Sequence, residues 1–384
     1  MSGTRQALIV AGEVSGDIHA GNLLRELSRL APGLQAFGVG GERLSAAGLE
    51  IVVHSSELAH MGLVEVLREL PRLRRIFKDL VDLAARRRPS VAVLVDSPDF
   101  NLRLARRLAR LDIPVVLYVS PQLWAWRSRR VRIVRRVARE VLCILPFEVD
   151  FYRRHGVAAR FVGHPLVDDL AREGFVGRPG AAIPGRIALL PGSRGSEVRQ
   201  LLPVMLAALG RLTPDIVEEA VVIVAPGVEP EVRTVMASME VDPRLRVVTG
   251  AARRRDLAAS TFAWTASGTA TLECALLGVP MIVGYRLNRI SYLIASRLVK
   301  VPNIALANLI TGQAVFPELI QDAWTADRLA GKTRDALSGD LSEQRRALSM
   351  VQARLGKPGA SVRAARAVAS YLGPTTVGQV GEEA

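Results

Sequence analysis

Short continuous apolar runs, each followed by a turn and an amphipathic helix, constrain this chain more than any other feature. Residues 7–11 read Ala-Leu-Ile-Val-Ala; after a turn-like stretch, Ala20, Leu23, Leu24, Leu27 and Leu30 fall on one helical face. The same order returns at Val91–Val95 with a helix over 102–111, and again at 115–119 and 141–144. Runs of this length without polar alternation are strands buried on both faces, which calls for a parallel sheet with helices on each side. Around 174–185, Gly, Pro and Arg replace periodicity. The alternation then restarts at 187–190, passes through a helix carrying Leu201, Leu202, Met205 and Leu209, and continues at 221–225, Leu245–Val248 and 280–283. The expected fold class is α/β, with two doubly wound Rossmann-like domains facing a cleft. They are placed at 1–172 and 187–340 with a linker at 173–186; 341–384 are expected to be C-terminal helices packing back on the first domain, with a flexible tail.

Composition narrows the function classes. A chain of 384 residues with 49% hydrophobic and 23% charged residues is neither disordered nor low-complexity. Mean hydropathy is +0.22, yet no apolar run approaches the roughly 18 residues a spanning helix needs. Cys143 and Cys274 each sit inside an apolar run, so neither a disulfide framework nor a metal site is expected, and a reducing compartment fits. The N-terminal region lacks the charged, apolar and cleavage segments of a signal peptide. The expectation is a cytoplasmic globular protein. Net charge is 51 − 37 = +14, which invites a nucleic-acid reading. Only four of those cations are lysines, however, and Trp124 and Trp126 are nearly the only concentrated aromatics, so no nucleic-acid partner is expected. Such a surface does attract anionic substrates or an anionic membrane face.

Open parallel sheets bind ligands at the carboxyl ends of their strands. The first such turn is Gly12-Glu13-Val14-Ser15-Gly16-Asp17. Its glycines admit close backbone approach, and Glu13 stands directly after a buried strand; Asp17 is either a ligand group or a helix cap. The second is Asp96-Ser97-Pro98-Asp99-Phe100-Asn101, where a carboxylate at the strand mouth suits a general base, while Asp99 or Asn101 suits capping. In the third, Trp124 and Trp126 beside Arg127 are either a sugar platform or core. Arg132, Arg135, Arg136 and Arg139 then form a stripe, solvated unless a phosphate lies nearby.

The second half offers two helix starts of phosphate-binding type: Gly192-Ser193-Arg194-Gly195 and Ser267-Gly268-Thr269-Ala270, with Glu273 one turn in. The Lys-Ser/Thr pair of a Walker loop is missing, so ATP chemistry is not indicated. Together the two starts point to a nucleotide-sugar site.

The segments AGEVSGD, MGLVEVL, DSPDFN, YVSPQLWAWR, LPFE, GHPL, LLPGSRGSEV, SGTATLECAL, PMIVGYR and LVKVPNIALANLI occur in order between residues 11 and 310. In this combination the chain resembles the lipid-A-disaccharide synthases. The resemblance implies an inverting, metal-independent glycosyltransferase of the GT-B type that uses no cofactor. It would join UDP-2,3-diacylglucosamine to 2,3-diacylglucosamine 1-phosphate, releasing UDP and the β(1→6) disaccharide 1-phosphate. It also implies Asp96 as general base, Glu13 and Asn308 as further catalytic residues, and Gly192, Ser193, Arg194, Ser267, Gly268, Thr269, Ala270 and Glu273 around UDP. Gly12, Ser15, Gly16, Asp17, Asp99, Trp124 and Arg127 fall on the acceptor or acyl side. Gln122 and His19 depart from the family pattern. Acylated substrates imply a peripheral protein on the inner face of a Gram-negative inner membrane, as a monomer or homodimer. The candidate surface is 61–78, where Leu63, Val64, Val66, Leu67, Leu70, Leu73, Ile76 and Phe77 are interspersed with Arg68, Arg72, Arg74, Arg75 and Lys78; the alternative is a helix covering the first sheet.

Overall fold

The computed structural model describes residues 5–59, 65–125, 128–175, 182–288, 292 and 301–373. Trp126, Arg127 and the 61–64 part of the membrane candidate lie outside them. The chain divides into two units, Met1–Asp168 with Lys357–Ala384, and Asp169–Gly356.

The first unit opens with β1 (Gln6–Ala11), α1 (Val14–Leu30), β2 (Gln35–Gly40), α2 (Glu42–Ser45) and β3 (Glu50–His54). It continues with α3 (Ser56–Ala59), α4 (Glu65–Arg87), β4 (Val91–Val95), α5 (Pro98–Ala109) and β5 (Val115–Tyr118). Then come α6 (Val131–Val137), β6 (Glu140–Cys143), α7 (Pro146–Arg154), β7 (Ala159–Phe161) and α8 (Pro165–Arg172), which runs across the division. The second unit follows as β8 (Ile183–Leu190), α9 (Gly195–Leu209), β9 (Glu219–Ile223), α10 (Glu229–Ala237) and β10 (Leu245–Val248). It goes on through α11 (Ala252–Ala258), β11 (Ser260–Ala266), α12 (Thr269–Leu276), β12 (Met281–Tyr285) and α13 (Leu306–Thr311). It closes with β13 (Glu318–Ile320), α14 (Ala326–Ser338) and α15 (Ser342–Leu355), after which α16 (Ala360–Ala369) returns to the first unit.

Each unit carries one wholly parallel sheet, in the order β3-β2-β1-β4-β5-β6-β7 and β10-β9-β8-β11-β12-β13. The apolar runs are strands because both of their faces are covered. Leu8 and Val10 join Phe37, Leu80 and Leu102 on one side of the first sheet. Ala7, Ile9 and Ala11 meet Leu23, Leu24 and Leu27 of α1, with Ala364 and Val368 of α16, on the other. In both sheets the strand order reverses beside the first strand, between β1 and β4 and between β8 and β11. A crevice opens at such a switch point because the connections leave to opposite sides.

The boundaries differ from those read from sequence in two places. β8 starts at Ile183, inside the stretch taken as linker, because its first residues still pair with Ser260. The C-terminal helices part company: α15 belongs to the second unit, where Gln344 accepts from the Met281 amide (2.9 Å) and Gln352 donates to Ala275 O (3.0 Å). Only α16 packs against α1, and Asp168 caps it by accepting the amides of Gly359, Ala360 and Ser361 at 2.6, 3.0 and 3.1 Å.

Candidate active site

At the switch point of the first unit, two turns interlock. A Cβ at Gly12 would sit 2.9 Å from Ser97 Oγ, so the turn after β1 meets the turn after β4 closely here. Ser97 Oγ makes a long hydrogen bond, 3.5 Å, to Glu13 Oε1. Glu13 precedes α1 and is exposed with Val14 and Ser15, whereas Gly16 is buried against the β4 end.

Asp96 follows β4 directly, and both it and Ser97 adopt left-handed backbone, with φ of 53° and 41°. For residues with a Cβ this is a costly conformation, of the kind that persists where surrounding contacts over-determine it. Those contacts are visible. Asn101 Nδ2 donates to the carbonyls of Val95 (3.1 Å) and Asp96 (2.7 Å), and the Asp96 amide donates to Tyr118 O (3.2 Å). Asn101 thus braces the turn from inside α5, and Asp99, exposed on its first turn, pairs with Arg130 at 2.5 Å. Next to Asp96 stands His19, whose Nδ1 is buried with no hydrogen-bond partner among the described residues. Burial lowers the His19 pKa, and the Asp96 charge pulls it the other way. Burial, with the His19 charge, pushes the His164 pKa down to about 3, and its Nδ1 accepts from the Leu166 amide at 3.1 Å.

Asp17 serves as a cap, of α2 and not of the helix it belongs to. It is buried, and its carboxylate accepts the amides of Gly41 (2.7 Å), Arg43 (3.0 Å) and Leu44 (3.2 Å) at the start of α2. Both oxygens serve the fold in these bonds. Trp124 is half-buried, lies edge-on to Phe147 at 4.9 Å, and donates its indole N–H to Glu148 Oε1 at 3.1 Å.

The second unit has its own pair of turns at its own switch point. Gly192 has φ 117°, and a Cβ there would lie 2.5 Å from Glu197 Oε2. Glu197 reaches back to accept the amides of Ser193 (3.0 Å) and Arg194 (3.3 Å) while pairing with the exposed Arg194 guanidinium (3.1 Å). Two of the amides expected to meet a phosphate are therefore already taken. Tyr285, at the end of β12, feels both charges: burial first, then Glu197, raise its pKa, and Arg194 lowers it. Gly268 opens α12 with φ 119°, and Ser267 Oγ donates to Ile304 O at 2.9 Å. Glu273 Oε1 accepts from Arg254 Nε at 2.8 Å, and Arg254 also pairs with Glu173.

Asn308 is likewise engaged within the fold. It is fully buried, donates to Phe316 O (2.8 Å) and Glu318 Oε1 (2.8 Å), and accepts from the Phe316 amide (3.0 Å). Glu318 in turn accepts the amides of Ile304 and Ala305, both at 3.0 Å. With its carboxamide engaged in these bonds, Asn308 latches this loop. Glu148, His164, Tyr285 and Glu197 were not assigned roles from sequence. Glu148 and Glu197 had a signal there, since a Glu in the first turn of a helix is the pattern of a capping box.

The profile for lipid-A-disaccharide synthetase matches residues 7–370. The chain belongs to the lipid-A-disaccharide synthase family. The lipid-A-disaccharide synthase of Anaeromyxobacter dehalogenans strain 2CP-C is 45% identical over 96% of this chain and 98% of its own. That of Myxococcus xanthus strain DK1622 is 42% identical over 98% and 100%. Among solved structures, the UDP-GlcNAc 2-epimerase of Methanocaldococcus jannaschii in complex with UDP-GlcNAc and UDP aligns with TM-score 0.61 at 11% identity, covering 95% of this chain and 99% of that one. Such a distant likeness concerns the fold alone, which is of the GT-B type. The family places the protein among the glycosyltransferases of lipid A biosynthesis.

Proposed function

We propose that the enzyme joins UDP-2,3-diacylglucosamine to the 6-hydroxyl of 2,3-diacylglucosamine 1-phosphate with inversion, giving the β(1→6) disaccharide 1-phosphate and UDP. The first unit takes the acceptor and the second the UDP-sugar. The reading rests chiefly on the braced, left-handed Asp96 at the β1/β4 switch point, with Ser97 and Glu13 hydrogen-bonded beside it. Asp96 removes the proton as the acceptor oxygen bonds the anomeric carbon from the side opposite UDP. The bond from that carbon to the diphosphate breaks, and UDP leaves with the electron pair. Base assistance of this kind is worth roughly 100- to 10,000-fold.

Because Glu197 holds the Ser193 and Arg194 amides, the diphosphate is assigned to the Arg194 guanidinium and to the amino end of α12 at Ser267–Ala270. Glu273, steadied by Arg254, takes the ribose hydroxyls. These groups offset the charge on departing UDP, and the mechanism is metal-free.

The acyl chains place the enzyme as a peripheral protein on the inner face of the inner membrane. No described helix is long and apolar enough to cross one. In α4, Arg74, Arg75 and Lys78 are exposed and suit anionic headgroups. Ile76, Leu80 and Ala84 are core, and Phe77 packs edge-on against Phe100 at 5.9 Å, so Phe77 is removed from the inserting set.

The test is UDP release with the acylated acceptor, with an unacylated one, and with none. Fast release only with the acylated acceptor, unchanged by excess EDTA, is expected. Equal release without acyl chains would point to another UDP-N-acetylglucosamine transferase or 2-epimerase, and an EDTA loss restored by magnesium would sink the metal-free mechanism.

A further inference from the structure

A third strained residue stands at the strand mouths of the first unit. Val119, immediately after β5, has φ 57°, a conformation that a β-branched side chain resists more than most. It introduces the loop Ser120-Pro121-Gln122-Leu123-Trp124, beside Asp96, whose amide is held by Tyr118 O. Something must hold that loop against the strain, and α7 does so at several points. Glu148 Oε1 accepts from Ser120 Oγ (2.7 Å) and from Trp124 Nε1 (3.1 Å), while Oε2 accepts the Leu145 amide (3.1 Å) and caps α7 itself. One turn on, the Tyr152 hydroxyl donates to Pro121 O at 2.9 Å. Phe147 supports the Trp124 ring edge-on.

Glu148 is almost wholly buried. A carboxylate removed from water is expensive unless each oxygen is matched by donors. If capping α7 were its whole task, a half-buried Glu in the first turn would suffice, as Glu197 does for α9. The second oxygen serves only the loop.

We propose that Glu148 is a positioning residue for the acceptor, fixing the Ser120–Trp124 loop against Asp96 without touching either substrate. The inference rests on the reading that the first unit takes the acceptor. It separates two tasks by oxygen atom: Oε2 stabilises the fold through Leu145, and Oε1 sets acceptor affinity through Ser120 and Trp124.

Three variants of the full-length enzyme test it at pH 8, with kcat, both KM values and Tm measured for each. Glu148→Ala removes both oxygens and should raise the acceptor KM about tenfold with the donor KM unchanged, and lower Tm. Glu148→Gln keeps one carbonyl oxygen at the same reach for Ser120 and Trp124. It should restore most of the acceptor KM while Tm stays low, because an amide N–H₂ cannot accept from Leu145. Trp124→Phe deletes a single donor while keeping the contact with Phe147, and should raise the acceptor KM about threefold at near-normal Tm. The proposal is overturned if Glu148→Ala lowers Tm with the acceptor KM intact, or shifts both KM values equally. Trp124→Ala distinguishes the two levels of argument. If it raises the acceptor KM while Glu148→Ala does not, the acceptor reading stands and the role of Glu148 falls; if it raises the donor KM instead, the acceptor reading falls and takes this inference with it.

Discussion

The two units build their switch points from opposite materials. In the first, the residues at the strand mouths with left-handed backbone carry side chains: Asp96, Ser97 and Val119. In the second, the corresponding turns use Gly192 and Gly268, at φ 117° and 119°. The difference follows from what each turn presents. On the proposed function a base brings its own carboxylate to the mouth, and the chain accepts about 1–3 kcal/mol of backbone strain per residue there, braced by Asn101 and α7. A diphosphate is met by backbone and helix ends, so side chains at those positions would only obstruct. At these two switch points strain accompanies the proposed side-chain chemistry and glycine the proposed backbone binding. Elsewhere the pattern differs, since Gln321 after β13 also has φ 54° and Gly163 after β7 has φ 88°.

The largest expected effect breaks the comparison at the reacting atom. Asp96→Asn should lower kcat by about 100- to 10,000-fold with donor KM unchanged. Near-normal turnover would hand the role to Glu13 or Asp99. Arg194→Ala should do the reverse of sparing the donor, raising the donor KM while the acceptor KM stays put.

Next in size is a pH effect confined to the first unit. Burial pushes the Glu148 carboxyl up to about 7, against the Ser120, Leu145 and Trp124 donors that favour its ionised form. An acid whose folded pKa lies above its unfolded value holds its proton more tightly in the native state. Its contribution to stability is therefore present below about pH 4.5 and is lost as pH rises through about 7. The difference in unfolding free energy between wild type and Glu148→Gln should fall by on the order of 3 kcal/mol across that window. Denaturant unfolding at several pH values reads it, and a pH-independent difference would mean that Glu148 does not titrate there.

Smaller again are two changes in the second unit. Asn308→Ala should cost about 1–3 kcal/mol, since it strands the Phe316 amide, and should leave kcat nearly unchanged. A collapse of kcat without loss of stability would return Asn308 to the chemistry. Gly192→Ala meets both a forbidden φ and Glu197, and should cost about 1–3 kcal/mol in denaturant unfolding. Stability equal to wild type would show that the turn has room and that the glycine is not required.

Much of this was legible beforehand for stated physical reasons. Doubly buried parallel strands leave uninterrupted apolar runs, so β1, β4, β5, β6, β8, β9, β10 and β12 could be read directly. Glycines in β2, the half-exposed edge position of β3, the hydroxyl residues in β11 and the three-residue length of β7 and β13 hid those strands. What a carboxylate or carboxamide does could not be read either. Asp17 and Asn308 carry polar groups that suit a site equally well, and only the three amides around the first and the Phe316–Glu318 segment around the second show that they hold the fold. Glu148 erred the other way. Its first-turn position reads as an ordinary cap, while the hydroxyl and indole that share it come from 28 and 24 residues upstream.

The smallest effect sharpens the comparison most. Ser97→Gly places at the first switch point the residue that the second would choose. Glycine adopts φ 41° without penalty, which relieves strain, but it loses more entropy on folding than serine does. The two terms oppose each other and each is about 1 kcal/mol or less, so stability should change by less than about 1 kcal/mol. The chemistry should not be spared in the same way. The hydroxyl that reaches Glu13 is gone, and the backbone carrying Asp96 loses the restraint that its neighbour's side chain supplied. Turnover should fall several-fold while Tm hardly moves. If Ser97→Gly instead raised stability clearly and left turnover alone, the strain at this mouth would be incidental, and the contrast between the two units would reduce to a difference in sequence.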